Sequence, residues 1–261
     1  MNKIKPSLLL SVLLMAQPLS GFAAVGINDQ GTNNQYGVWG TLQMEGDFKA
    51  VSPSLSKFNW LIMDQSRTRD DNSAGTRLTE NLLFGQVGYQ LNTNATVVVG
   101  YVHDWIHTGI SLLPNQQTNP VQSPTNFSYQ ESRPYQDFVW RQALGNFGFM
   151  SRTRFEERIN ETSGDTGYRG RQLLQISHPL PIKNLSAYLG DETLYYANQN
   201  SFGRQGFSEN RALTGLSYQF TPAIGFDLGY LGQYVVQNTT VSANKNNLFT
   251  HNVQANLRFR F

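Results

Sequence analysis

The stretch Phe147–Ile159, FGFMSRTRFEERI, narrows the folds open to this chain more than any other. Side chains of a β-strand alternate between two faces. In that register Arg152, Arg154, Glu156 and Arg158 share one face, and Phe147, Phe149, Ser151, Thr153, Phe155 and Ile159 share the other. A helix would scatter the same four charges around its circumference. Four charges in a row require water or paired charges, whereas the opposite face requires an apolar solvent. The stretch therefore predicts a barrel strand with its apolar face on lipid and its charged face lining the interior.

The same period recurs along the chain. Eleven segments alternate: Tyr36–Ala50, Lys57–Gln65, Leu78–Leu91, Ala95–Thr108, Tyr135–Leu144, Phe147–Ile159, Tyr168–Ser177, Leu185–Tyr196, Ser208–Phe220, Ala223–Val236 and Leu248–Phe261. Short turns at Asn92, Gly145, His178 and Thr221 separate longer polar loops at Ser66, Gly109, Ala197 and Gln237. The segment Gly109–Ser132 carries Pro114, Pro120 and Pro124 and reads as a loop, since proline cannot supply a ladder N–H. This rhythm matches outer-membrane barrels, with short periplasmic turns and longer external loops. It sets the start and end of the chain on the periplasmic side. A soluble sandwich or lipocalin-like barrel offers no reason for it.

The expected fold is all-β: a transmembrane antiparallel up-and-down barrel. Single-chain bacterial barrels carry even strand numbers. Eleven segments then become twelve if the lead-in Val25–Asn34 joins the wall, or ten if the Tyr36 segment stays outside it. Twelve is the expectation.

Composition agrees with export. Mean hydropathy is −0.41, and no run of 18 or more apolar residues occurs, which excludes a helical span. Lys3 and Lys5, the apolar run Leu8–Met15 and the small residues Ser20–Ala24 read as a secretory signal over residues 1–24. The barrel domain then covers residues 25–261. Cleavage removes Lys3 and Lys5, so Lys+Arg falls from 20 to 18 against an Asp+Glu of 18. A neutral mature chain gives no argument for a nucleic-acid partner. With no cysteine, no disulfide or cysteine-based metal site can form.

Two sets of residues carry a resemblance. The last strand ends Leu257-x-Phe259-x-Phe261 and resembles the terminal signal read by the outer-membrane barrel assembly machinery. Arg152-x-Arg154-x-Glu156-x-Arg158, then Tyr168-Arg169-x-Arg171, Tyr188 and Glu192, Asn210-Arg211 with Gly215-Leu216-x-Tyr218, and Leu228-Gly229-Tyr230 resemble the bacterial family called domain of unknown function 2490. The resemblance runs from about Trp39 to Phe261 and implies an outer-membrane barrel of no settled activity.

The candidate site is the interior charge set: Arg141, Arg152, Arg154, Glu156, Arg158, Arg169, Arg171, Glu192 and Arg211, with Arg258, Arg260, Glu80 and Asp227 projecting the same way. Two uses compete. The charges can form a salt-bridge ladder that fills and stiffens a small barrel. They can also line a water-filled, anion-selecting lumen. The chain is thus read as a small passive pore or structural barrel in the bacterial outer membrane, with membrane lipid and the assembly machinery as partners.

The alternatives are a lipid-modifying barrel enzyme or an accessory to export or assembly. For the enzyme, His103 and His107 share a strand face near the external rim, with Ser111 beyond them. Four residues of strand hold the two imidazoles about 13 Å apart, too far to chelate one metal. His178 and His251 are isolated, so no metal site, cofactor or catalytic residue is assigned. Trp39, Trp60, Trp105, Trp140, Tyr101, Tyr195 and Tyr230 read as interface girdles.

Overall fold

In the computed structural model of the chain, the described residues are 32–49, 51–70, 76–108, 127–236 and 247–261. The expected signal, most of the lead-in and residues 109–126 lie outside them. Eleven strands form the wall: β1 (Thr32–Asp47), β2 (Phe58–Asp70), β3 (Thr76–Gln90), β4 (Ala95–Thr108), β5 (Phe127–Leu144), β6 (Phe147–Asn160), β7 (Thr166–Pro179), β8 (Leu185–Tyr196), β9 (Gly206–Thr221), β10 (Ile224–Val235) and β11 (Asn247–Arg260). Each of the eleven alternating segments becomes one strand. Consecutive strands pair antiparallel, and β1 closes on β11, so the sheet is a closed barrel. Closure is the solution for a sheet with one greasy face, because it leaves no unpaired edge.

The closing pair corrects two expectations. β1 and β11 run parallel, from Thr32↔Asn247 to Glu45↔Arg260. An odd number of alternating strands forces one such pair. Among the described residues the wall therefore closes with eleven strands, neither twelve nor ten. The parallel pair also means that β1 enters at the same end as β11, the end that carries the longer connections. The wall does not begin at the short-turn end.

Two segments read as loop are strand. β2 continues through Asp70, and β5 begins at Phe127, well inside the proline-bearing segment. Pro134 sits within β5, where the ladder to β6 omits Arg133 and Pro134. At the opposite end the β3–β4, β5–β6, β7–β8 and β9–β10 turns are tight, whereas a longer segment with a 3-10 turn at Pro53–Leu55 joins β1 to β2. Gly145 and Asn146 alone join β5 to β6, with Gly145 at φ +62, the left-handed region that two-residue hairpins demand.

The outward face carries exposed apolar side chains such as Val38, Leu42, Val99, Phe155, Leu189, Leu216, Leu228 and Val253. Inside, two sectors differ. Leu82, Phe84, Val98, Val102, Tyr135 and Val139 pack together across β3–β5, with Met63 and Met150 at the margins. From β5 round to β9 the interior is charged, and on β10 and β11 it carries the buried polar residues Gln233, Thr250, Asn252 and Gln254.

Two interior tyrosines lie flat against the wall over glycines. A Cβ on Gly100 would meet the Tyr135 ring at 2.3 Å, and one on Gly229 would meet the Tyr188 hydroxyl at 2.3 Å. Only glycine permits that approach.

Candidate functional site: the interior charge network

Strand registry builds the charged sector. Asp137 lies directly opposite Arg154, Glu156 opposite Arg169, and Glu192 opposite Arg211. Directly opposed side chains on one face are near enough to pair. Arg154 also opposes Arg171, a like-charge pair that would repel. The arginines resolve this by turning apart, Arg154 toward Asp137 and Arg171 toward Glu192.

The hydrogen bonds follow that plan. Arg154 donates through Nε and Nη2 to the two carboxylate oxygens of Asp137 at 2.6 and 2.7 Å. Its guanidinium also lies 3.7 Å from the centre of the Tyr135 ring. Glu156 accepts from Arg169 Nε at 2.5 Å and from Arg171 Nη1 at 3.2 Å. Glu192 is the hub: it accepts from Arg152 at 2.7 Å, from Arg171 Nη2 at 2.8 Å and from Arg211 at 3.1 Å. Arg211 continues to Glu209 at 2.5 Å, and Gln233 donates to that same oxygen at 2.7 Å. Bidentate and charge-assisted pairs of this kind are the stronger protein hydrogen bonds.

A second cluster lies toward the long-loop end. Arg158 donates to both oxygens of Glu131 and, at 2.6 Å, to the Tyr196 hydroxyl. Arg133 bridges Glu131 and Asp104. Both carboxylates are 0% exposed. Phe202, from the loop between β8 and β9, lies 4.3 Å over the Arg158 guanidinium. Arg67 pairs with Glu80 at 2.6 Å and stacks 3.9 Å over Trp39.

The structure thus places Arg152, Arg154, Glu156, Arg158, Arg169, Arg171, Glu192 and Arg211 inside the barrel, each with an ionic partner. Arg141 stands apart. It lines the interior at the short-turn end, where it is exposed, and among the described residues no carboxylate lies within 4 Å of it. Leu257, Phe259 and Phe261 point outward at that end, where Phe261 stacks 6.2 Å from Trp60 and its amide donates to Glu45 at 2.9 Å. Trp39 is corrected. It is an interior residue, buried between Arg67 and Arg211, and not part of an interface girdle.

Sequence reasoning missed Asp104, Glu131, Arg133 and Arg67. Glu131 and Arg67 fell in segments taken as loop. Tyr129, Glu131, Arg133, Tyr135 and Asp137 do alternate, but the opposite face there is Gln130, Ser132, Pro134 and Gln136. With both faces polar, the period carries no hydrophobic signal.

A cavity of 880 Å³ occupies the rest of the interior. Glu45, Asp47, Asn59 and Arg260 line its short-turn end, and it reaches up to Arg133, Arg158 and Gln233. Asp104, Glu131, Tyr196 and Leu248 are buried and lie outside its lining. Among the described residues ten arginines share ion pairs with nine carboxylates. The interior is therefore close to charge balance.

Comparison with known proteins places the chain in a family and adds no chemistry. The sequence model of a family described as "Protein of unknown function (DUF2490)" matches residues 36–244. An uncharacterized protein of Methylorubrum extorquens is 34% identical over 109 residues, 40% of this chain and 47% of the relative. The chain thus spans about half the length of that curated relative.

Proposed function

The chain belongs to the DUF2490 family, and from its geometry we propose that it is an outer-membrane barrel whose interior is closed by its own ion pairs. It is a structural barrel with a blind vestibule open at the short-turn end. The observation that carries this reading is the buried network itself, which runs from Asp104 through Arg133, Glu131 and Arg158 on one side and from Glu156 to Glu209 on the other. Such a network holds only while every member is satisfied, because removing one partner leaves a buried charge. Near balance of charge also leaves little potential to draw anions through.

The outer face supports the membrane setting. On β4 the outward residues Val97, Val99 and Tyr101 give way to His103. On β8 Leu185, Ala187 and Leu189 give way to Asp191, which accepts from Asn210 at 3.0 Å. Where polar groups do face outward at mid-wall they satisfy each other: Gln172 donates to Ser151 at 2.9 Å and accepts from Thr153 at 2.7 Å. A lipid solvent demands that pairing. At the β11 entry end the β4–β5, β8–β9 and β10–β11 connections are long, as external loops are.

Planar-bilayer recording of the refolded protein tests the closed interior. The expected result is no steady conductance. Discrete, long-lived openings of the unmodified protein would restore the passive anion-selecting pore and overturn the closed barrel.

A further inference from the structure

We propose that the outer wall across β2–β6 holds one phospholipid with a primary-amine headgroup, its acyl chain in a notch at Gly85 and its headgroup on a polar cluster beside it. The inference rests on the membrane setting proposed above.

The notch comes from a missing side chain. Ile62, Gly85, Tyr101 and Pro134 form one outward row across β2, β3, β4 and β5. A Cβ on Gly85 would meet nothing within 4 Å. The gap opens a groove of 510 Å³ walled by Trp60, Ile62, Val87, Val99 and Tyr101. An apolar groove of this kind fits a hydrocarbon chain that must otherwise lie on a bumpy wall.

The cluster starts where the groove ends, and Tyr101 belongs to both. Its hydroxyl is 2.6 Å from Ser132 Oγ. Ser132 donates to Glu161 Oε1 at 2.5 Å, so the tyrosine is the donor in the pair with Ser132. His103 Nδ1 stands 3.5 Å from the same Glu161 oxygen, and its Nε2 is 3.1 Å from Gln130 Oε1. The next outward row toward the long-loop end is Asp64, Leu83, His103, Ser132 and Ile159. Two carboxylates, Asp64 and Glu161, therefore flank a set of hydroxyl and imidazole groups at the upper edge of the apolar band. Carboxylates select an ammonium, which an ethanolamine headgroup presents. A glycerol headgroup, with net negative charge, meets the carboxylates unfavourably.

Native mass spectrometry of the detergent-purified full chain, given equal amounts of dioleoyl phosphatidylethanolamine and dioleoyl phosphatidylglycerol, tests the site. The expected result is one retained ethanolamine lipid per chain, favoured about tenfold, the scale of one charge-assisted hydrogen bond. Glu161→Gln should remove the preference between headgroups. Gly85→Leu should remove retention of both lipids. The leucine enters open space, so its folding is expected to be intact and is checked by heat-modifiable gel migration. Equal retention of the two lipids by the unmodified chain, or unchanged retention in folded Gly85→Leu, overturns the proposal. A chain that stays in the membrane pellet after alkaline carbonate yet shows no preference sinks only this site. A chain released by carbonate sinks the membrane setting itself.

Discussion

The two interior sectors of this barrel solve the same packing problem by opposite means. Across β3–β5, Leu82, Phe84, Val98, Val102, Tyr135 and Val139 fill space with apolar atoms. From β5 to β9, arginines and carboxylates fill it with paired charge. The apolar sector is tolerant in kind and strict in volume. A different hydrocarbon of similar size fits it, and a void in it costs energy. The charged sector is strict in kind. Glu192 answers Arg152, Arg171 and Arg211 at once, so one substitution there unbalances three partners. Buried ion pairs contribute modest net stability, and breaking one is expensive. The comparison teaches that the charged sector specifies the closed interior more than it stabilises the wall.

The sharpest attack is Glu192→Gln. It leaves three arginines short of a counter-charge and should lower stability by about 3–5 kcal/mol, read as a lower urea midpoint for refolded protein in lipid vesicles. If the midpoint moves by less than the error, the network is not the strict sector. Leu82→Ala comes next. Leu82 is fully buried, and its truncation should cost about 2–5 kcal/mol by the same assay, with no appearance of conductance. An open channel in that variant would mean that the apolar sector, and not the ion pairs, seals the interior.

A paired replacement separates the sectors further. Asp137→Leu alone strands Arg154 and should cost about 3 kcal/mol or more, whereas Asp137→Leu with Arg154→Met should come within about 1 kcal/mol of the unmodified protein. A double variant as unstable as the single would show that the pair does more than satisfy itself. The smallest effect belongs to Glu45→Gln. Its partner Arg260 is 63% exposed, and an exposed pair contributes about 0–1 kcal/mol and is screened by salt. A large loss there would place the short-turn end of the vestibule in the same class as the buried network.

Much of this was legible because period two is a strong signal wherever one face is apolar. FGFMSRTRFEERI and the last strand, LFTHNVQANLRFRF, sort by parity alone, and all eleven segments sit in the wall. The strand number is where a general rule misled. Even counts assume that the first and last strands meet antiparallel, and no residue pattern announces that β1 meets β11 in parallel. The network was half legible. Charges opposite phenylalanines on β6 were plain, while Glu131 and Arg133, opposite glutamine, serine and proline, were not. Trp39 was misplaced because an aromatic near a strand end suits a girdle. Its true neighbours are Arg67, directly opposite on β2, and Arg211 from β9, which only closure brings across the interior.

The parallel seam has a consequence in time. Every other neighbour in the wall is joined by a connection and can pair as soon as its hairpin forms. β1 and β11 have no such tether: Thr32 must find Asn247, and Glu45 must find Arg260, 215 positions away. Contacts so remote in sequence are the slowest to form. Until β11 arrives, β1 keeps a bare edge of N–H and C=O groups, and only the last strand of the chain can cover it.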